Sequence, residues 1–521
     1  MNNNKLPIPS PGEYNLGGGR LYAGKLVCPS YAGTAEIINA RLSGPGEAMV
    51  QVEIDAGMGE GYRVELTEGG VRIRGGEPGI YSAFSVLAAL AGNGDSGGAS
   101  DGKGSWFPLG TVSGGPQYGY RGIMLDVSRH FFPKEEVMRL LDIMFRLRLN
   151  KFHWHIADDQ GFRIALKKYP KLEEISSKRG YTAYGGFAGS RGNDGTPCGG
   201  CYSEEDVRDV LAYAAVRGIE IIPELDMPGH MSAIIAAYPE LSCSGEPLAV
   251  PGDFGILDNV LCIGNDAALE FMKGLVHALC DLFEAKTFHI GFDEVKLDHL
   301  KSCPKCRARM RALGIKRVEG LKVYAKDQIR NSLQKRGIRV IMYNDGMVEA
   351  DPSVVCYHWL SIKGLLKKTV SRINQGQPVI LANTSYFYMD YPYVWTPLKK
   401  TYRFNPFFRN LTMPENILGL EAPLWTEYVA DHGKLAFNAY YRMAALAEIA
   451  WCGEARRSYP DFMTALRARE EYYFGEKLNI PDRVLNPPRG LARIGLLKEC
   501  LATDMNAEYH LYCSEGKKAW E

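Results

Sequence analysis

From Tyr120 onward, short apolar runs alternate with amphipathic stretches, a pattern that predicts a parallel sheet buried beneath a layer of helices. The runs lie near Arg121 to Asp126, Lys151 to Ile156, Glu220 to Glu224, Thr287 to Gly291, Arg339 to Tyr343, Val354 to Trp359, Pro378 to Ala382 and Leu418 to Trp425. About eight such strands are what a closed β/α barrel needs. Between them, Val137, Leu140, Leu141 and Met144 fall on one helical face after Pro133. Val207, Val210, Leu211 and Ala214 do the same after a Ser203 cap, with Gly218 as the stop. An open Rossmann-like sheet is the structural rival, but no Gly-x-Gly-x-x-Gly turn follows any of these strands.

Ahead of the barrel, Tyr62 to Leu66 and Val71 to Arg74 alternate apolar and polar around Gly69-Gly70, a hairpin signal, and a helix is expected from about Ile80 to Leu90. Gly92 to Gly104 offer almost nothing to bury and read as an exposed loop. After the barrel, Phe462, Leu466 and Tyr472 continue a helical pattern toward an Asn486-Pro487-Pro488 link, in a stretch too short for a large core of its own. The expected architecture is therefore α/β: a small N-terminal α+β domain over residues 1–117, a catalytic (β/α)8 TIM barrel over 118–455, and a short helical C-terminal extension over 456–521.

Composition narrows the possible partners. With 61 Lys+Arg against 60 Asp+Glu, the chain has no overall field to hold a polyphosphate or an anionic membrane, which argues against nucleic acid. The N-terminus has neither a basic n-region nor an apolar h-region, and no run is long enough to span a bilayer. A cytoplasmic chain is the default expectation, with a secreted mature form as the alternative; the pattern says nothing of oligomeric state. Of the 12 cysteines, Cys280, Cys356 and Cys452 sit in apolar segments, where a thiol acts as a small hydrophobe.

Barrel chemistry belongs at the C-terminal ends of the strands, so the polar residues that stop each apolar run are the candidates. The second strand runs into His153-Trp154-His155-Ile156-Ala157-Asp158-Asp159-Gln160, the third into Glu224-Leu225-Asp226-Met227-Pro228-Gly229-His230, and the fourth into His289-Ile290-Gly291-Phe292-Asp293-Glu294. Each has an ordinary reading alone: His-x-His could hold a metal or be satisfied by hydrogen bonds, and Asp-Glu could cap a helix. Three consecutive strand ends rich in carboxylate and imidazole are harder to explain as surface.

Taken together, these segments resemble glycoside hydrolase family 20, the β-N-acetylhexosaminidases. The resemblance rests on Arg121-Gly122-Ile123-Met124-Leu125-Asp126-Val127-Ser128-Arg129-His130-Phe131-Phe132-Pro133, Asn150 to His155 with Asp158 to Arg163, Pro223 to His230, and Asp293-Glu294-Val295. Tyr388-Met389-Asp390 and Leu424-Trp425-Thr426-Glu427-Tyr428 extend it in family order.

It implies a retaining, exo-acting hydrolase of terminal β-linked N-acetylhexosamine that uses the substrate's own 2-acetamido oxygen as nucleophile, with no cofactor and no catalytic metal. Glu294 would be the acid/base, Asp293 would hold the acetamido N–H, and Tyr388 would hold its carbonyl oxygen. Such a Glu needs a raised pKa, toward which a neighbouring ionised Asp contributes. Trp359 and Trp425 resemble pocket walls, with Tyr343 where many members carry a third Trp. Arg121, Asp390 and Glu427 resemble the binders of outer hydroxyls, and Asp158, Asp226 and His230 resemble supports of the acetamide and acid groups. The expected partner is an oligosaccharide or glycoconjugate. A related disaccharide-releasing hydrolase, of lacto-N-biosidase type, is the alternative and would need an open rim; a non-catalytic lectin would be expected to have lost Asp293 or Glu294.

Two features depart from the pattern. Phe292 stands where most members have a second glycine, which leaves pocket shape open. Cys198-Gly199-Gly200-Cys201 and Cys303-Pro304-Lys305-Cys306 form two C-x-x-C units in loops expected at the same end of the barrel, open to disulfides, free thiols or a shared tetrahedral zinc site.

Overall fold

The computed structural model describes residues 7–92, 104–406, 408–487 and 489–518. The barrel strands, labelled here β1 (Tyr120–Asp126), β2 (Lys151–His155), β3 (Glu220–Met227), β4 (Thr287–Gly291), β5 (Arg339–Tyr343), β6 (Val354–His358), β7 (Val379–Leu381) and β8 (Ile417–Leu424), close into one parallel barrel, with β8 pairing with β1. They are buried along almost their whole length, because helices cover them outside and side chains fill them inside. The expected helices form at Lys134–Arg146 and Glu204–Ala215. The second opens on a capping box in which the Ser203 hydroxyl accepts from the Asp206 N–H and Asp206 returns a bond to the Ser203 N–H.

Before the barrel lies a six-stranded mixed sheet, ordered Glu13–Tyr22, Trp106–Gly114, Tyr62–Thr67, Gly70–Gly75, Glu47–Ile54, Lys25–Val27. The expected hairpin is its centre, and the expected helix runs from Glu77 to Leu90. That helix packs against the sheet on one side and the Lys134–Arg146 helix on the other. Phe145 and Trp451 of the barrel belong to the sheet's core, so the two domains share apolar burial. The loop expected over Gly92 to Gly104 lies almost wholly outside the described residues, as does Pro488 of the Pro-rich link.

After the long helix His432–Cys452, the C-terminal helices fold back along the barrel. Phe187 and Ala188 N–H donate to the Cys500 and Leu501 carbonyls, and the Glu508 carboxylate accepts from the Tyr393 and Val394 N–H groups. The extension thus reaches the barrel mouth as well as its flank. No described helix is long and apolar enough to cross a membrane.

Candidate active site

At the end of β4 the chain makes an unusual turn. Gly291, Phe292 and Glu294 all have positive φ, at 67°, 72° and 46°. For the two residues with side chains this conformation costs about 1–2 kcal/mol each. Neighbouring strand ends hold it: Asp226 Oδ1 accepts from Phe292 N–H at 2.9 Å, and Asp345 Oδ2 accepts from Glu294 N–H at 3.2 Å. Glycine is required at 291, since a Cβ there would fall 1.7 Å from Asp226 Oδ1. The turn delivers Asp293 and Glu294 to the barrel mouth with unequal exposure. Asp293 is 8% exposed, whereas the Glu294 side chain is 29% exposed.

Both carboxylates line a cavity of about 170 Å³. Asp158, Asp226, His230, Trp359, Tyr388, Asp390, Trp425 and Glu427 line the same cavity, so ten of the residues singled out in the sequence converge there. Tyr388 stands 6.3 Å from Trp359 and 6.4 Å from Trp425 between ring centroids, which makes an aromatic wall suited to the CH faces of a sugar. The Trp359 indole N–H is fixed by Asp345 at 2.9 Å. Two buried oxygens, Asp293 Oδ1 and Asp390 Oδ1, have no protein partner among the described residues. A larger cavity of about 760 Å³, lined by Tyr118, Lys399, Arg403 and Arg456, opens at the opposite, N-terminal end of the strands, away from this chemistry.

Two expectations need correction. Arg121 opens β1 at the bottom of the barrel, where it pairs with Glu60 of the N-terminal domain at 2.7 Å and donates to the Arg148 and Tyr118 carbonyls. Its place in the pocket is taken by Arg129, three residues beyond the end of β1. Arg129 contacts Asp158 at 2.7 Å, Asp126 at 3.3 Å and Glu427 at 4.0 Å, and lies 5.0 Å from the Trp425 ring. Arg121→Ala is therefore expected to leave kcat/KM within about threefold while lowering stability by about 2 kcal/mol, through loss of a buried guanidinium and its bonds to Glu60 and two backbone carbonyls. Arg129→Ala is expected to lower kcat/KM by about 100-fold or more through unpaired pocket carboxylates. Michaelis constants and melting temperatures of the two variants check this; an activity loss in Arg121→Ala with unchanged stability would reverse the assignment.

Tyr343, the second correction, does not line the cavity. It lies in the layer beneath it, 4.4 Å from the His289 ring and 6.5 Å from Trp359. Phe292 is wholly buried in the main core and is likewise absent from the cavity lining, so the extra bulk goes into the barrel packing. Phe187, Tyr391, Tyr428 and Met505 complete the mouth.

Electrostatics divide the carboxylates by role. Burial pushes Asp293 up to about 7, with the Asp345 and Glu294 charges adding to it against His230 and Asp226. Burial also raises Asp226 well above the ordinary carboxyl range, and the nearby Asp293 adds to this, so the two carboxyls titrate as a pair that shares a proton. Burial opposes charge on His230, but Asp158, Asp159 and Glu294 outweigh it and hold the ring as imidazolium. Its Nδ1 is 3.2 Å from Asp158 and its Nε2 3.7 Å from Glu294. Burial, then Glu427, pushes Asp390 well above the ordinary carboxyl range. Burial also keeps the Tyr388 hydroxyl protonated.

Beneath the cavity the His-x-His imidazoles face carboxylates. His153 meets Glu421 at 2.8 Å and Glu224 at 3.0 Å; His155 meets Glu224 at 2.5 Å and Asp158 at 3.0 Å. Burial works against their charge, yet these carboxylates raise His153 to about 9 and His155 to about 10. Both values exceed that of an unfolded histidine, about 6.5. Their contribution to stability is thus full below about pH 6.5, shrinks above it and is lost as the pH passes the folded values. Glu224 and Asp158 are depressed despite burial, by His289, His155 and His153 in one case and by Arg129 and His230 in the other, so their contributions are lost toward acid. The melting temperature is expected to fall between pH 7 and pH 10; a flat profile there would contradict charged barrel histidines.

A closed parallel barrel with paired carboxylates, a protonated tyrosine and tryptophan walls at its C-terminal mouth defines a glycoside-cleaving class of (β/α)8 enzyme. Residues 118–454 match the profile described as glycosyl hydrolase family 20, catalytic domain, and the chain belongs to that family. It is 35% identical over 367 residues to a β-hexosaminidase of Porphyromonas gingivalis, a match covering 67% of this chain but 45% of that one. It is 30% identical over 433 residues to a β-hexosaminidase of Akkermansia muciniphila, covering 79% and 83%. The fold superposes on the β-N-acetylhexosaminidase of Bacteroides fragilis with a TM-score of 0.75 at 25% identity, over 90% of this chain and 95% of that one.

Proposed function

We propose that this chain hydrolyses terminal, non-reducing β-linked N-acetylhexosamine with retention, through attack by the substrate's 2-acetamido oxygen. The observation that carries the reading is the division between adjacent carboxylates. Asp293 is buried with Oδ1 unpartnered, whereas Glu294, the next residue, reaches the more exposed part of the cavity. Two groups from one turn do not flank a sugar ring as a nucleophile and acid on opposite faces must. They do suit a reaction in which the ring brings its own nucleophile.

In the first step Glu294 gives its proton to the glycosidic oxygen as the C1–O bond breaks and the acetamido oxygen bonds to C1, giving a bicyclic oxazolinium. Asp293 accepts the acetamido N–H and balances the developing positive charge, and the Tyr388 hydroxyl donates to the acetamido oxygen. In the second step water bonds to C1 as the C1–acetamido bond breaks, and Glu294 takes the water proton. His230, held by Asp158, lies close enough to Glu294 to steady its carboxylate.

Arg129, Asp390 and Glu427 offer donors and acceptors to the outer hydroxyls. The cavity is small against the 300–1,000 Å³ or so of sites for larger ligands, which favours a single terminal sugar. Paired chromogenic β-GlcNAc and β-GalNAc substrates, with product analysis on a β-linked oligosaccharide, test this reading. Release of monosaccharide from the non-reducing end is expected; release of disaccharide units would favour the biosidase alternative.

A further inference from the structure

The two C-x-x-C units do not come together. Cys303 and Cys306 instead meet two isolated cysteines, Cys243 and Cys262, from the loop after β3, and the four Sγ atoms lie within 4.8 Å of one another. We infer that Cys243, Cys262, Cys303 and Cys306 form a closed, tetrahedral four-cysteine zinc site that fastens the loop after β3 to the loop after β4.

The spacing supports one central ion. Zinc binds thiolate at about 2.3 Å, which sets the sulfur–sulfur edge of a tetrahedron at about 3.8 Å. Cys262 Sγ stands 3.7 Å from Cys303 Sγ and 3.7 Å from Cys306 Sγ, and Cys243 Sγ stands 3.9 Å from Cys306 Sγ. Cys262 is thus equidistant from two sulfurs instead of being committed to one, as a disulfide requires. A set this compact holds one thiophilic ion and leaves no room for a cluster with sulfide ions of its own.

The surrounding chain fixes the positions of the sulfurs. Cys303 is the N-cap of the Pro304–Ala312 helix and Cys306 lies in its first turn, so one short element presents both sulfurs on the same side. Gly264 N–H donates to Cys306 Sγ at 3.4 Å. A Cβ at 264 would fall 2.2 Å from the Cys306 nitrogen, so this close approach needs glycine. Cys262, Cys303 and Cys306 are buried, and Cys243 is half-buried.

The site would act on the active centre through short links. Leu261 N–H, next to Cys262, donates to the Pro228 carbonyl, two residues before His230. Only Val295 to Leu297 and the short helix Asp298–Ser302 lie between Glu294 and Cys303. Zinc would therefore hold the two loops that carry His230 and the Asp293-Glu294 turn.

The test uses the full chain, freed of any metal-binding tag and dialysed against a weak chelator. Elemental analysis is expected to find about one zinc per chain, and the cobalt-substituted chain is expected to show the intense visible bands of tetrahedral thiolate-bound Co²⁺. Cys262→Ser and Cys303→Ser should lose the metal, while a Cys198→Ser, Cys201→Ser double variant keeps it. Metal removal should lower the melting temperature by about 5 °C or more. A wild-type chain with no zinc and no such cobalt spectrum, or peptide mapping that finds disulfides among these four cysteines, would overturn the inference. Metal content is read independently of turnover, so failure here leaves the catalytic reading untouched.

Discussion

Glu294→Gln is expected to slow hydrolysis of alkyl or sugar-linked β-N-acetylhexosaminides by about 10³-fold, and to slow activated aryl substrates far less. A sugar leaving group departs as a strongly basic alkoxide unless it is protonated, and the amide retains the shape of Glu294 without an acidic proton. A nitrophenolate leaves unassisted, so the variant keeps the first step on that substrate and is limited by the second, in which water needs a base. Added azide, a nucleophile that needs no deprotonation, should then restore turnover of the aryl substrate. Equal losses on both leaving groups with no azide rescue would remove Glu294 from the acid/base role.

Asp293→Asn is the second large effect, about 10²- to 10³-fold in kcat. The side chain is buried in the cavity floor with one oxygen unpartnered, so a neutral amide presents either a competing N–H or an uncharged oxygen where positive charge develops. A thiazoline mimic of the oxazolinium should bind wild type much more tightly than N-acetylglucosamine does, and should lose most of that advantage in the variant. Inhibition constants for the two ligands on both proteins measure this. An unchanged ratio would show that Asp293 does not recognise the charged intermediate.

The barrel was legible because central parallel strands are continuous apolar runs bounded by polar residues. Thr287–Gly291 and Arg339–Tyr343 form as expected to the residue. The outer N-terminal strands were not legible. Glu13–Tyr22 carries three consecutive glycines and is mostly exposed, so it lacks the alternation that marks a half-buried strand, and its pairing to Trp106–Gly114 is long-range.

Most of the site was readable from the same strand-end rule, and that rule also explains the Arg121 error. The motif from Arg121 to Pro133 holds two pocket-type arginines; Arg121 begins its strand, while Arg129 follows the strand's C-terminal end, where barrel chemistry belongs. Met505 and Phe187 carry no local signal, since tertiary packing of the C-terminal helices against residues 185–188 brings them to the mouth. Cys243 and Cys262 were equally silent, being single cysteines that only the loop after β3 places beside Cys303 and Cys306.

The nucleophile is the central claim, and it is tested most directly by comparing a β-N-acetylglucosaminide with the β-glucoside of the same activated aglycone. The glucoside has a 2-hydroxyl in place of the acetamide and brings no internal nucleophile, so it is expected to react slower by a factor of about 10⁴ or more. A 2-fluoroglucoside should leave the protein unlabelled. Comparable rates on the two substrates, with a covalent fluoroglycosyl adduct on Asp293, would contradict substrate assistance and make Asp293 itself the nucleophile.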